Sequence, residues 1–173
     1  MNRAHRTHPN LAALLLGLGL LLASLPAAAV IGSWTAVGST GVVDESALSF
    51  YSFGSTNLGY SPASASVAPI IARFNVTNTL QTSDTPPWNT LELGSFDNSP
   101  LSSVRADLIQ VTPCTGVQTV LCSVTSNDNA ASTCKPCTFT APINFATNVY
   151  YIQVTISRSV ATVSPQLLTL KLF

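Results

Sequence analysis

The sequence predicts an all-β protein: an antiparallel β-sandwich, jelly-roll-like, with about eight or nine strands and stapled by disulfides. Residues 148–160 alternate apolar and polar side chains, as a strand does when one face of its sheet is buried. Glycine, proline, serine and asparagine interrupt the chain at short intervals, and no stretch keeps a 3.6-residue apolar period. Four cysteines lie within 24 residues, which is typical of a stapled exported domain.

The first 29 residues have the features of a cleaved secretory signal peptide. Two arginines precede an apolar run at residues 11–25, and small residues ending at Ala29 form a cleavage site. The run is about 15 residues long, shorter than the roughly 20 that a membrane-spanning helix needs, so an anchor is disfavoured. We therefore expect a mature chain, residues 30–173, that forms a single β-sandwich domain. Such a chain is secreted to the extracellular space, the cell surface or the periplasm, without a stable membrane span.

Turn residues divide the mature chain into short segments with strand character. Most of these segments alternate apolar with polar side chains, and prolines or glycines separate them. In residues 148–160 the apolar row comprises Tyr150, Ile152, Val154 and Ile156. The predicted strands are residues 34–43, 47–53, 67–77, 88–93, 104–112, 117–125, 134–140, 148–160 and 166–173. Residues 113–116 connect two of them as a hairpin.

The four cysteines favour two disulfides in an exported protein. A Cys114–Cys122 bond is disfavoured because a regular hairpin separates these residues by roughly 17 Å along the strand. Cys122 and Cys134 flank the loop at residues 126–133, so we predict Cys122–Cys134 together with Cys114–Cys137. The Cys134-Lys135-Pro136-Cys137 spacing also fits a redox-active pair, but its flanks resemble strands rather than the start of a helix. A zinc site with four cysteine ligands is disfavoured, because only Cys134 and Cys137 have the close spacing typical of such sites.

Composition excludes several classes of function. The mature chain keeps five basic and seven acidic residues, a net charge of −2, since Arg3 and Arg6 belong to the signal peptide. No basic patch indicates a nucleic-acid partner. Both histidines, His5 and His8, also precede the cleavage site, so neither a Ser-His-Asp site nor a histidine-ligated metal can form. We expect a protein that is not an enzyme and has no cofactor.

Few residues are candidates for a binding site. Tyr151 is the candidate ligand-binding residue, because it lies on the polar row of its strand beside Gln153 and packing does not explain it. The expected partner is a glycan or a cell-surface protein. Asp44-Glu45 and residues 127–129 offer too few carboxylates for calcium and are interpreted as turns.

Two other functions stay open as alternatives. A glycosidase that uses carboxylates alone would need a pair such as Glu92 and Asp97, about 5–10 Å apart across a cleft. An outer-membrane β-barrel is suggested by the last strand, which ends on Phe173. In that strand two sets alternate, Leu168, Leu170 and Leu172 against Thr169 and Lys171. Short strands and clustered cysteines disfavour the barrel.

Several stretches resemble small secreted bacterial proteins of uncharacterised function. The likeness is carried by residues 41–46, 71–79, 134–139 and 165–173, and by residues 113–116 together with Cys122. It covers most of the mature chain and contains no functional motif. The resemblance implies an exported all-β protein of unknown role. The signal peptide, the strand pattern, the cysteines and the lack of histidine in the mature chain lead us to expect a non-enzymatic protein with a structural, surface or ligand-binding role.

Overall fold

The computed structural model describes residues 32–78 and 83–173, so the predicted signal peptide lies outside the described residues. These residues form eleven strands and two single-turn 3-10 helices, Gly38–Thr40 and Glu45–Ala47. No helix in this part of the chain is long and apolar enough to cross a membrane. The strands are β1 (Trp34–Val37), β2 (Val42–Val43), β3 (Tyr51–Phe53), β4 (Leu58–Tyr60), β5 (Ile70–Val76), β6 (Thr90–Asp97), β7 (Ser102–Val111), β8 (Gln118–Thr125), β9 (Asn129–Thr138), β10 (Val149–Arg158) and β11 (Gln166–Leu172).

The strands form two antiparallel sheets. Sheet A has the order β3-β4-β11-β6-β9, and β1 also pairs with β11. Sheet B has the order β2-β5-β10-β7-β8. The predicted antiparallel sandwich is therefore confirmed, with more strands than expected. The alternative of a single closed sheet is wrong, because the strands divide into two sheets with a shared apolar core.

The last eight strands follow the jelly-roll winding. They have the order β4-β11-β6-β9 in sheet A and β5-β10-β7-β8 in sheet B. The chain therefore changes sheet at every connection among them except the β7–β8 hairpin. This confirms the predicted jelly-roll character.

The core lies between the inner faces of the sheets. On β10 the predicted row of Tyr150, Ile152, Val154 and Ile156 is buried, and β5 buries its own alternate residues from Ile70 to Val76. β-branched and aromatic side chains suit these positions, since each packs against register partners and the facing sheet. Sheet A contributes a leucine-rich inner face, namely Leu58, Leu91, Leu93, Leu167, Leu170 and Leu172.

The first third of the chain departs most from the prediction. The expected strand at residues 47–53 begins only at Tyr51, and Leu48 is 64% exposed. Asp44 accepts a hydrogen bond from the Ser46 amide and starts a 3-10 turn, which takes the place of the first half of that strand. The short strand β4 lies in a region predicted to be a loop, because Ser, Gly and Pro surround it.

The last strand contains a bulge that reverses part of the predicted alternation. The register of β11 against β6 shifts between Leu167 and Thr169. Leu167 is therefore buried and Leu168 is only half-buried, whereas Leu168 was predicted to share a face with Leu170 and Leu172, which are buried. One extra residue in a strand shifts the residues on one side of it to the opposite face.

The cysteine pairing differs from the prediction. A disulfide joins Cys122 on β8 to Cys137 on β9, with Cα atoms 6.2 Å apart. Cys122 pairs in register with buried Leu108, and Cys137 pairs with buried Leu91, so both point between the sheets.

Cys114 and Cys134 are free and exposed, so the predicted Cys122–Cys134 and Cys114–Cys137 bonds are wrong. The prediction failed because β8 and β9 are not hairpin neighbours but edge strands of different sheets. Cys134 pairs with Gly94 on the outer face of sheet A. Cys137 lies three residues further along β9 and faces the interior. Cys134 and Cys137 therefore do not form a redox-active pair.

Candidate functional site

Tyr151 lies on the outer face of sheet B, as the alternation predicted. Its hydroxyl donates a hydrogen bond to Gln118 Oε1 at 3.0 Å. Gln118 is on β8 and Tyr151 is on β10, with β7 between them. Two strand spacings amount to about 10 Å, so the tyrosine side chain must lie along the sheet to bring its hydroxyl to Gln118. The ring therefore reclines across β7 and does not stand upright in solvent.

A reclining ring also accounts for the burial of Ile109. This residue is the register partner of Tyr151 on β7 and faces outward, because its neighbour Leu108 faces the core. It is nevertheless only 6% exposed, and it is not part of the core cluster between the sheets. Tyr151 itself is half-buried, so part of its side chain is exposed to solvent.

Polar side chains surround the ring on the same face. Asn75 on β5 is its register partner on the other side and is exposed. The next row along the strands contains Arg73, Gln153, Asp107 and Ser123 in register on four adjacent strands. We call Tyr151, Gln118, Ile109, Asn75 and this row the Tyr151 face.

Hydrogen bonds hold part of that row in place. Asp107 accepts bonds from Arg105 Nε at 2.9 Å and from Ser123 Oγ at 2.5 Å. Arg105 Nη2 also donates to Ser123 at 3.3 Å. Arg73 forms a looser salt bridge with Asp44, 3.6 Å long and exposed to water. Charges are therefore balanced locally, and Gln153 lies between the two ion pairs.

A second candidate surface, on the outer face of sheet A, was not found from the sequence. It is a groove of about 620 Å³ over β1, β11 and β6. Its polar side chains are Thr35, Thr40, Glu92, Thr169 and Lys171, and Val37 adds an apolar patch. We call this the sheet A groove. The alternation Leu91, Glu92, Leu93 predicts that Glu92 points outward, but no sequence signal predicts that β1 and β6 flank β11.

The proposed glycosidase pair does not form. Glu92 and Asp97 are five residues apart on β6, which separates their Cα atoms by roughly 17 Å, beyond the range such enzymes use. Asp97 is buried and accepts bonds from Ser102 Oγ and Ser126 Oγ, each at 2.5 Å. It thus anchors the start of β7 and the end of β8. Within residues 32–78 and 83–173, no three His, Cys, Asp or Glu side chains cluster as metal ligands do.

Comparison with protein-family models finds no match, and no curated protein matches the chain. The resemblance to small secreted bacterial proteins is supported in one respect, because the structure is all-β.

Several solved structures are similar in part. One is a family two carbohydrate esterase from Cellvibrio japonicus, with 12% identity and a TM-score of 0.43 over 82% of this chain. The match covers only 33% of that esterase. Another is the family 32 CBM from C. perfringens NanJ in complex with galactose, with 12% identity, a TM-score of 0.46, and coverage of 82% of this chain and 98% of that one. A third is the xylan-binding module CBM15, with 10% identity, a TM-score of 0.42, and coverage of 83% and 91%. Likeness at this level identifies neither a function nor a ligand for this chain.

Proposed function

We propose that the protein is an exported, non-enzymatic β-sandwich that binds a glycan on the Tyr151 face. The observation that carries this proposal is the reclining Tyr151 ring, held by Gln118 on one side of β7 and by its own strand on the other. The hydrogen bond to Gln118 favours this orientation of the ring before any ligand arrives. Less side-chain entropy is then lost on binding, which favours affinity.

The chemistry of the face matches a sugar. The C–H groups on one side of a sugar ring form an apolar surface that stacks on an aromatic ring, while the hydroxyls at its rim require hydrogen-bonding partners. Asn75 and Gln153 carry amides that both donate and accept, and they flank Tyr151. Arg73, the register partner of Gln153, adds a planar guanidinium that donates hydrogen bonds.

Export is supported by the signal-peptide features and by the disulfide between the sheets. A disulfide persists in an oxidising compartment and is rare in the cytoplasm. Mass spectrometry of the protein recovered from outside the cytoplasm is expected to give Val30 as the N-terminus. A protein that keeps residues 1–29 contradicts this part of the proposal.

A glycan array probed with the mature protein tests the binding function. Tyr151→Ala is expected to weaken binding to at least one of the glycans found by about tenfold, since it removes the stacking surface. Tyr151→Phe keeps the ring but loses the hydrogen bond to Gln118, so its glycan affinity is expected to lie between those of the wild type and Tyr151→Ala. Tyr51→Ala, on β3 of the other sheet, is the matched control and should bind normally.

The proposal is wrong if no glycan binds, or if Tyr151→Ala binds every glycan as tightly as Tyr51→Ala does. Near-wild-type melting temperatures of all variants show that lost binding is not lost folding.

A further inference from the structure

The sheet A groove contains an acid and a base that are neighbours but form no salt bridge with each other. Glu92 on β6 and Lys171 on β11 are register partners, so their side chains start on the same face of adjacent strands. The two salt bridges among the described residues lie elsewhere, at Arg73–Asp44 and Arg105–Asp107. Lys171 Nζ instead lies 4.6 Å from the centroid of the Phe173 ring. The Glu92 carboxylate therefore keeps its hydrogen-bonding capacity for a ligand.

We propose that the sheet A groove is a binding site for a neutral oligosaccharide, independent of the Tyr151 face. A carboxylate only accepts hydrogen bonds, an ammonium only donates them, and threonine hydroxyls do both. Adjacent sugar hydroxyls can satisfy all three, donating to Glu92 and accepting from Lys171. Because one negative and one positive charge flank the groove, a neutral ligand is favoured over an anion or a cation of similar size.

The remaining lining suits the apolar side of a sugar. Val37 on β1 is in register with Thr169 on β11, which is in register with Gly94 on β6. Gly94 has no side chain, and a Cβ there would collide with Thr169 Oγ1. The Thr169 side chain therefore lies over Gly94, and Val37 is the apolar side chain of this row that lines the groove. The volume of about 620 Å³ is within the range of small-molecule sites.

Cys134 provides a reporter for this groove. It is exposed on the outer face and is the register partner of Gly94. It lies two strands from Thr169, about 10 Å away. In a Cys114→Ser protein Cys134 is the single free thiol, because Cys122 and Cys137 form the disulfide. An environment-sensitive fluorophore on Cys134 can therefore detect a ligand that enters the groove.

The test is a titration of this labelled protein with cellohexaose, xylohexaose and mannohexaose. At least one is expected to give a saturable fluorescence change, and calorimetry on the unlabelled protein should give the same Kd. Glu92→Gln, which removes the charge and keeps the shape, is expected to weaken binding about tenfold. Thr169→Val removes a hydroxyl and should also weaken it. Glu45→Gln and Thr155→Val, outside the groove, are the matched controls and should leave the Kd unchanged.

Independence from the Tyr151 face is tested in the same way, because Tyr151→Ala should leave the fluorescence titration unchanged. The proposal is overturned if none of the three hexaoses binds at millimolar concentration, or if Glu92→Gln and Thr169→Val bind like their controls. It is also overturned if spermidine changes the signal and no hexaose does, which would make the groove a cation site. A signal lost in Tyr151→Ala would mean that one site, on sheet B, explains all binding.

Discussion

At the scale of single residues, Arg158 shows how a charge is buried without a carboxylate. It ends β10 and is only 5% exposed. Its guanidinium donates to the carbonyls of Ser64, Ser66, Ala161 and Val163, at 2.7 to 3.0 Å. It also lies 3.8 Å from the centroid of the Tyr60 ring. Arg158 therefore holds together two loops that have little regular structure of their own.

Arg158→Met is expected to lower the free energy of unfolding by about 3 kcal/mol, because several carbonyls lose their donors. Arg158→Lys should recover little, since an ammonium cannot reach four carbonyls arranged around a planar group. Urea unfolding measures both. Arg73→Met, at a half-exposed site on the same sheet, is the control and should cost less than about 0.5 kcal/mol. Equal effects of the two methionine variants would contradict this role of Arg158.

Tyr60 lies beneath Arg158, and the direction of its pKa predicts that the stability of the fold changes with pH. Burial raises the pKa of its hydroxyl above the usual 10.0, and the nearby Arg158 offsets this in part. Since the folded state resists ionisation, the stabilisation is complete below about pH 10 and is lost as the pH rises through the folded pKa. Phenolate absorbance should show a late ionisation step, above the usual tyrosine value of 10.0. Tyr60→Phe should remove that late step; if the step persists, it belongs to another tyrosine.

The sequence predicted which residue to examine at the candidate site but not how it is arranged. Alternation places Tyr151 on the outer face because Tyr150 and Ile152 are apolar neighbours in the chain. The orientation of the ring depends on Gln118, which is 33 residues away. That pairing is set by the order of strands in the sheet, which no local pattern encodes.

At the scale of elements, regular strands were predictable and irregular ones were not. Strands β5, β7, β8 and β10 match predicted strands to within a few residues. The pattern is clearest in β5 and β10, because each of these two buries one full alternating row. β4 was missed since three residues carry too little pattern, and β11 was predicted with the wrong alternation because its bulge has no sequence signature. The cysteine pairing failed for a related reason: it requires knowing that β8 and β9 face each other across the sandwich.

The disulfide between β8 and β9 is expected to stabilise the fold. Each is the edge strand of its sheet, so the bond closes one side of the sandwich. It closes a loop with a separation of 15 residues, which corresponds to about 3 kcal/mol of restricted unfolded-chain entropy. The double variant Cys122→Ala/Cys137→Ala should lose about that much in urea unfolding. Cys114→Ala/Cys134→Ala, which removes only free thiols, is the control, and a comparable loss there would mean that other pairings stabilise the protein.

At the scale of the whole molecule, the sandwich presents its two candidate sites in opposite directions. The Tyr151 face lies on the outside of sheet B, and the sheet A groove lies on the outside of sheet A. Sheets in a sandwich are about 10 Å apart, and the core between them is filled by side chains. A glycan chain cannot pass through this filled core, so one chain is not expected to reach both sites by a direct path. A protein with two such sites can instead join two chains.

If both sites bind glycan, the mature protein should cross-link a soluble polysaccharide that contains the glycans each site recognises. Dynamic light scattering is expected to show large complexes for the wild type at intermediate protein ratios and their loss when protein is in excess, as for any bivalent binder. Tyr151→Ala and Glu92→Gln should each still bind the polysaccharide through the remaining site, yet form fewer large complexes than the wild type at the same protein concentration. A single-face variant that cross-links as well as the wild type would show that the second contact comes from self-association of the protein and not from opposite faces of one sandwich.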